Sequence, residues 1–443
     1  MIWRAVHAVW RMALSVFFRR VDVEGLENVP REGALLLVPN HTNAFVDAFL
    51  IATSVPRRVT LTAKSTLFAH PLLRLLLRAI DAVALHRAQD RGLGADPAAN
   101  VEALADCRRR LSRGDAICIF PEGVSHSDAK LRQLRTGAAR IALDFVNSGQ
   151  ALRIVPVGLV YEAKEKFRSS VWIRFGSPLD AAAWAAAHPD AGARELSDEI
   201  AERLRALTLN FRRQRESALF QWAAEVLATR GLPPTLLGRE RRLQDRTVLA
   251  SLLSDGYQKL ESTHAAAIAE LEQRVHRYHS DLRRWGISPP EVYLEMNFGR
   301  AALFLVRELE TLLIGLPLAL IGALLHGPAY LATRAIVRRV STDRDHWATN
   351  SVGLGSILIL GSSLLELTAA WIFLSWPAAA VVTVLLPYSG YYALVYRDRA
   401  GGIFRRSRTF LRFLFRRDLQ TRLAQEGRGI IAGIEQLGES LPA

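Results

Sequence analysis

The stretch ALLLVPNHTNAFVDAFLIATS, residues 34–54, decides how the rest of the chain is read. Ala34 to Asn40 is an unbroken apolar run closed by Pro39 and Asn40, the pattern of a strand buried on both faces of a parallel sheet. Val46 to Ser54 is helical in pattern. A buried strand that passes into a helix within a few residues is the opening of a β-α-β unit. Polar groups in that connection sit at the C-terminal end of the strand, where such sheets gather their ligands. Here the connection is His41-Thr42-Asn43-Ala44-Phe45-Val46-Asp47.

Outward from this stretch the pattern repeats. VTLTAK (59–64), AICIFPE (116–122) and IVPVGLVY (154–161) read as further buried strands, and residues 71–80, 97–112 and 137–147 read as helices between them. Strand–helix alternation over 21–179 predicts an α/β domain with a mostly parallel sheet. Before it, residues 1–20 carry Ile2, Trp3, Val6, Val9, Trp10, Ala13, Val16 and Phe17 at three- and four-residue steps, one apolar face of a helix. Trp and Arg on such a helix suit a membrane interface, and packing on its own domain is the alternative. Arg4 and Arg11 interrupt the apolar stretch and no small-residue cleavage site follows, so it does not read as a secretory leader.

Residues 180–300 are Ala-, Glu- and Arg-rich with helical periodicity and hold no catalytic constellation. The region 301–400 is different. Leu312 to Ala332 is almost uncharged, and Ser351 to Tyr396 carries only Glu366, long enough for two spans broken at Ser375-Trp376-Pro377. His326-Gly327-Pro328 in the first block suits a re-entrant hairpin or a kinked span. Arg334, Arg338, Arg339 and Arg344 separate the blocks, and arginines follow from Arg397 into a basic tail over 401–443. Basic flanks on both sides favour the cytoplasmic side. The fold class expected is an α/β domain, a helical region, then transmembrane or re-entrant helices of an integral membrane protein.

Composition agrees. The 443 residues allow two or three domains, and an apolar half excludes disorder. Two cysteines, Cys107 and Cys118, exclude a disulfide scaffold and suit a reducing compartment. No His/Cys cluster has zinc spacing. A net charge of +14, from 57 basic and 43 acidic side chains, calls for an anionic partner, nucleic acid or a membrane surface. The apolar blocks choose the membrane, and no aromatic–basic recognition motif supports nucleic acid.

Two segments carry chemistry. His41 at a strand terminus, with Asp47 to fix its tautomer and favour its imidazolium, can act as a general base. Since no serine lies in a nucleophile-elbow motif, the hydroxyl it activates belongs to the substrate. The second segment is Phe120-Pro121-Glu122-Gly123-Val124-Ser125-His126. Its Pro-Glu-Gly turn holds Glu122 at a strand tip beside free backbone N–H groups, either to grip a polyol hydroxyl next to a bound anion or to cap the turn.

Together these segments resemble the glycerolipid (PlsC-like) acyltransferase family, which carries N-H-x4-D, an Arg-containing block, F-P-E-G and an apolar Pro-containing block in that order. The matching residues are Asn40-His41 with Asp47, Arg87 in Ala84-Leu85-His86-Arg87, Phe120-Pro121-Glu122-Gly123, and Val155-Pro156-Val157-Gly158. Gly25-Leu26-Glu27-Asn28-Val29-Pro30 resembles the family's approach to its first block, and the likeness covers roughly residues 1–180. There are two departures: five residues, not four, separate His41 from Asp47, and Val124-Ser125-His126 follows the third block. Both features, with the downstream Leu134-Arg135-Thr136-Gly137, resemble the subgroup that includes the fungal glycerol-3-phosphate/dihydroxyacetone-phosphate acyltransferases.

The resemblance implies acyl transfer from acyl-CoA or acyl-carrier protein, as co-substrate, to a glycerol phosphate hydroxyl in phospholipid synthesis. It implies His41 as base, Asp47 as its orienter, and Arg87, Glu122 and Gly123 for phosphate and glycerol. Ser125 and His126 fall where acceptor contacts are expected, and Arg135 and Arg140 add positive field. Pro156 belongs to the block tied to the acyl donor or is a strand residue. The acceptor is glycerol 3-phosphate or, in the alternative, 1-acylglycerol 3-phosphate (lysophosphatidate). Membrane lipids are the remaining partners, and neither metal nor prosthetic group nor nucleic acid is expected. A non-catalytic lipid-binding protein on the same fold is a further alternative.

Overall fold

In the computed structural model the described residues are 2–86, 100–230, 243–294, 298–341 and 344–441. They divide into two compact units, Met1–Asn210 with Val337–Leu354, and Phe211–Ile336 with Gly355–Ala443.

The first unit is built on one sheet. Its strands are β1 (Arg20–Glu24), β2 (Leu35–Pro39), β3 (Val59–Lys64), β4 (Val83–Leu85), β5 (Ala116–Cys118), β6 (Arg153–Tyr161), β7 (Ser170–Phe175) and β8 (Leu179–Asp180). The spatial order is β1-β7-β6-β2-β5-β3-β4, with β8 against β6. From β6 through β4 all pairs are parallel; β7 and β8 run antiparallel to β6. The sheet is mostly parallel, as the alternation predicts.

Side chains alternate along each strand, so β2 serves two cores at once. Leu35 and Leu37 pack with α1 (Ile2–Phe17) and α2 (Ala44–Ser54); Leu36 and Val38 pack with α4 (Asn100–Ser112), α5 (Gly137–Val146), α6 (Ala181–Ala187) and α7 (Ala193–Leu207). All five residues of β2 are buried, which explains their unbroken apolar run. The remaining helix, α3 (Pro71–Ala79), begins on a proline, where the missing N–H costs nothing. The helices stand within a few residues of their expected bounds. β1, β4, β7 and β8 were not anticipated: all but β7 are short or partly exposed.

Helix α1 lies on α2. Trp10 stacks on Phe49 at 3.7 Å, Arg11 donates to the Thr53 carbonyl at 2.8 Å, and Leu14 and Phe17 are buried in the core. Of the apolar face, Val6, Trp10, Ala13 and Phe17 pack against this unit's core, and Val9 is exposed. Gly25 has φ +74°, and a Cβ there would stand 2.1 Å from the Phe175 carbonyl oxygen, so only glycine fits; Asn28 donates to the same oxygen at 2.9 Å. Ala348 and Val352 also belong to this unit's core.

The second unit is helical. It contains α8 (Gln214–Leu227), α9 (Leu243–Leu260), α10 (Ala265–Trp285), a 3-10 turn over Pro289–Tyr293 and α14 (Arg417–Glu439). Val275, Tyr278 and Leu282 of α10, with Leu419, Leu423 and Ile430 of α14, are buried. The long helices are α11 (Phe298–Val340), α12 (Arg344–Phe373) and α13 (Trp376–Phe415). Each carries a segment long and apolar enough to cross a membrane: Val306–Val340, His346–Phe373 and Trp376–Phe415. Their large apolar side chains point outward, Ile314 82% and Phe373 81% exposed, the reverse of a buried core helix.

The break expected at His326-Gly327-Pro328 is absent: α11 runs through Pro317 and Pro328 without interruption, so the re-entrant option is replaced by one long helix. Side chains tie it to α13: His326 Nε2 donates to the Leu386 carbonyl at 2.9 Å and the Tyr396 hydroxyl to that of Leu312 at 3.1 Å. These pairs run α11 and α13 antiparallel. A Cβ on Gly322 would stand 2.0 Å from the Ser389 carbonyl oxygen, the close approach that small residues permit in membrane bundles. The expected break at Ser375-Trp376-Pro377 is present between α12 and α13. Helix α13 continues past residue 400 to Phe415, and α14 follows at once, so the basic C-terminal stretch is helical.

Candidate active site

Strands β5, β2 and β6 are neighbours in the sheet, and all three point their C-terminal ends the same way. At the end of β2, Asn40 uses its side chain as a ladder rung. Its Oδ1 accepts the Leu159 N–H at 2.7 Å and its Nδ2 donates to the Leu159 carbonyl at 3.2 Å. With pairing to β6 completed by a side chain, the backbone is free to turn.

That turn resolves the five-residue spacing. A helix running from His41 to Asp47 would set the two on different faces. Instead α2 begins only at Ala44, which takes a left-handed φ of +42°. The chain curls around the Asp47 carboxylate: Oδ2 accepts the N–H groups of Thr42 and Asn43, both at 2.7 Å, and lies 2.9 Å from His41 Nδ1. The Tyr161 hydroxyl donates to Oδ1. Asp47 is fully buried in the first turn of α2, where the helix dipole favours a negative charge. Burial, then the adjacent Asp47 charge, pushes the Tyr161 phenol well above its ordinary range.

Since the carboxylate accepts on both oxygens, His41 carries its proton on Nδ1 and donates it to Asp47. Nε2 then bears the lone pair. It has no partner among the described residues, and 17% of the side chain stays exposed. The ring stacks on Phe120, centroids 4.0 Å apart, which fixes its plane. The arrangement is a base held in one tautomer with its basic nitrogen available.

Glu122, beyond the end of β5, is buried and turned toward the protein. Oε1 accepts the His41 N–H at 2.7 Å; Oε2 accepts the Arg132 N–H at 2.9 Å and faces His126 Nε2. His126 Nδ1 accepts the Asp128 N–H at 3.2 Å, so its proton sits on Nε2 and is donated to Glu122. The backbone N–H groups that bind this carboxylate come from His41 and Arg132, outside its own Pro-Glu-Gly turn. Its carboxylate ties the β2 loop to the β5 loop, a tie doubled by the His126 N–H on the His41 carbonyl at 3.1 Å.

Gly123 has φ +73°, and a Cβ there would stand 2.7 Å from Arg135 Nε, so the Arg135 side chain lies across it. The Arg135 N–H donates to the Pro121 carbonyl at 2.8 Å. Ser125 is half-buried in the same loop with no bond to a described residue, and Arg140 is exposed on α5. Pro156 is buried within β6 opposite Val38, a strand residue. Arg87 lies outside the described residues. Among the described residues no group of three or more His, Cys, Asp or Glu is placed to hold a metal.

Two residues were not anticipated. Tyr161 ends β6, and its place as the one polar group closing an apolar run was the available signal. Lys164, three residues on, donates from Nζ to the carbonyls of Thr42 at 2.6 Å and His126 at 3.2 Å, bridging both loops. Its own carbonyl accepts from Asn43 Nδ2 at 3.3 Å, and the Thr349 hydroxyl reaches the Asn43 carbonyl at 3.4 Å.

Residues 20–160 match the family model described as Acyltransferase. The chain is 26% identical to the chloroplastic 1-acyl-sn-glycerol-3-phosphate acyltransferase LPAT1 of Arabidopsis thaliana, over 34% of this chain and 39% of that protein. It is 25% identical to glycerol-3-phosphate O-acyltransferase 1 of Saccharomyces cerevisiae, over 54% of this chain and 31% of that protein. An uncharacterized acyltransferase of Schizosaccharomyces pombe is 24% identical over 39% of this chain and 38% of its own length. A solved structure, that of PlsC, the 1-acyl-sn-glycerophosphate acyltransferase of Thermotoga maritima, is similar at 21% identity over 45% of this chain and 77% of that one, with a TM-score of 0.35. The chain spans well under half the length of these curated relatives, 31% to 39% of each. Residues 20–160, which hold His41, Asp47 and the Phe120–Gly123 block, form a domain that matches the acyltransferase (PlsC-like) family.

Proposed function

We propose that this protein is a membrane-bound acyltransferase that moves a fatty acyl group from a thioester donor, acyl-CoA or acyl-carrier protein, to the free hydroxyl of glycerol 3-phosphate. The observation that carries the reading is the His41 imidazole: Nδ1 engaged by buried Asp47, Nε2 unpartnered among the described residues. Nε2 takes the proton of the acceptor hydroxyl as its oxygen attacks the thioester carbonyl. The C–O bond forms, the C–S bond breaks, and the departing sulfur takes the proton from the imidazolium. Asp47 favours that imidazolium and holds the ring. Arg87 and Arg135, with Ser125, are the residues we assign to the acceptor's phosphate and glycerol. Glu122 supports the loop that carries His41.

Glycerol 3-phosphate is preferred over 1-acylglycerol 3-phosphate on two grounds: the five-residue spacing with Ser125-His126, and the yeast glycerol-3-phosphate O-acyltransferase similarity, which runs well beyond the family domain. Cytoplasmic placement of the catalytic unit rests on Arg338, Arg339 and Arg344, which fall in the Val337–Leu354 part of that unit.

The test uses membranes expressing the full chain, supplied with labelled glycerol 3-phosphate and palmitoyl-CoA, beside membranes carrying His41→Ala. Lysophosphatidate formed only with His41 intact is the expected result. Product from 1-acylglycerol 3-phosphate alone moves the acceptor to that lipid. Activity of His41→Ala within ten-fold of the parent removes His41 as base, since a general base is worth about 10²–10⁴ in rate.

A further inference from the structure

Helix α13 has two halves of opposite character. Trp376 to Tyr396 is uncharged, whereas Arg397 to Phe415 contains six arginines and one aspartate. In that second half Ile403, Thr409 and Phe413 are buried within the helical unit. The opposite face is bare: Phe404, Leu411 and Phe415 are 71%, 52% and 83% exposed. They recur at positions i, i+7 and i+11, with Arg408 and Arg412 between them on the same stripe. Together with Trp285, at the end of α10, they line an open groove of about 520 Å³.

Among the described residues no acid forms an ion pair with Arg408, Arg412 or Arg416. Arg412 is half-buried, its Nη1 is enclosed against Gly286, and it has no hydrogen-bond acceptor among the described residues. The carboxylate whose field reaches it, Glu291, is occupied by Arg405 at 2.8 Å and by the Thr409 hydroxyl at 3.4 Å. Arg408 lies one turn from Arg412, a repelling like-charge pair, and Arg416 sits over the Trp285 ring, 5.1 Å from its centroid. A guanidinium enclosed without an acceptor is an unmet demand for an oxyanion, and paired guanidinium forks suit a phosphate. The apolar walls around them call for a hydrocarbon chain on the same molecule.

We propose that this groove binds an anionic phospholipid, its phosphate between Arg408, Arg412 and Arg416 and an acyl chain against Phe404, Leu411 and Phe415. The bilayer is the source of the ligand, because the groove lies on the same helix as an uncharged stretch of membrane-spanning length. Juxtamembrane arginines are attracted to anionic headgroups at about 1 kcal/mol each, or about five-fold in affinity. The site goes beyond acyl transfer and does not depend on it: none of these residues belongs to the His41 centre.

The experiment is native mass spectrometry of the full-length protein in neutral detergent, titrated separately with dioleoyl phosphatidylglycerol and dioleoyl phosphatidylcholine. The expected result is retention of phosphatidylglycerol over phosphatidylcholine. Arg408→Gln and Arg412→Gln each weaken phosphatidylglycerol about five-fold and leave phosphatidylcholine unchanged. Phe415→Ser weakens both lipids. Arg408 is exposed, so its variant carries the test if Arg412→Gln fails to fold. Equal retention of the two lipids, or unchanged phosphatidylglycerol binding in Arg408→Gln, overturns the proposal. Complete displacement by inorganic phosphate with no effect of Phe415→Ser also overturns it, in favour of a site for free phosphate.

Discussion

Tyr161 donates its hydroxyl proton to Oδ1 of Asp47, the carboxylate oxygen that His41 leaves unused. The base, its carboxylate and this phenol come from two adjacent strand ends and form one chain of hydrogen bonds. Every donor to Asp47 also constrains its rotation, so the aim of His41 depends on a residue it does not touch.

Tyr161→Phe removes one donor from a buried carboxylate while keeping the ring in the core. Loss of a hydrogen bond to a charged group costs roughly 1.5–3 kcal/mol, so kcat is expected to fall about ten-fold or more with the acceptor KM nearly unchanged. Steady-state kinetics separate the two. A raised KM at unchanged kcat would place Tyr161 in substrate binding instead.

Glu122 makes a different prediction from the one its motif suggests. Its oxygens accept from the His41 N–H, the Arg132 N–H and His126, all donors. Glu122→Gln turns one acceptor into an NH₂ group facing a donor. The expected outcome is a loss of stability of about 1–3 kcal/mol, read as a drop in the melting temperature, alongside a loss of kcat. A variant with the parent's melting temperature and only a raised acceptor KM would restore Glu122 to direct substrate contact.

What the sequence could reveal followed how strongly burial constrains each segment. Leu35 to Val38 must satisfy two cores, so every position is apolar and the strand is plain to read. The edge strand Arg20–Glu24 alternates with polar residues and is partly exposed, which leaves little trace. His41 and Asp47 were legible as types, but their contact depends on the left-handed Ala44, and nothing in an alanine announces that conformation. Glu122 was legible as a position, but its partners were not, because the backbone donors it accepts lie 81 and 10 residues away in the chain. Lys164 was invisible, since its acceptors are backbone carbonyls and carry no side-chain signature.

Lys164 joins the two loops through the carbonyls of Thr42 and His126. Lys164→Met keeps the stem and removes the donors. We expect kcat to fall by about an order of magnitude, from two lost charge-assisted bonds, with a melting temperature lower by a few degrees. Lys164→Arg is expected not to restore kcat, because a planar fork cannot place two donors where an ammonium does. Full rescue by arginine would show that charge alone matters there.

The titratable groups buried in the core of the first unit predict an alkaline limit to stability. Burial pushes the Cys107 thiol up to about 11 from an ordinary 9.0, and it pushes the Cys118 thiol and the Tyr161 phenol up as well. In each case the folded state holds the proton more tightly than the unfolded chain. The stabilisation is therefore complete below the unfolded pKa and is lost as pH rises through the folded one. For Cys107 that window runs from about 9 to about 11. The melting temperature is expected to hold steady to about pH 8.5 and then fall steeply. Ellman's reagent at pH 8 should leave both thiols intact in the native protein and modify both in denaturant. Rapid modification of either thiol without unfolding would contradict the burial of the sheet between its two helical layers.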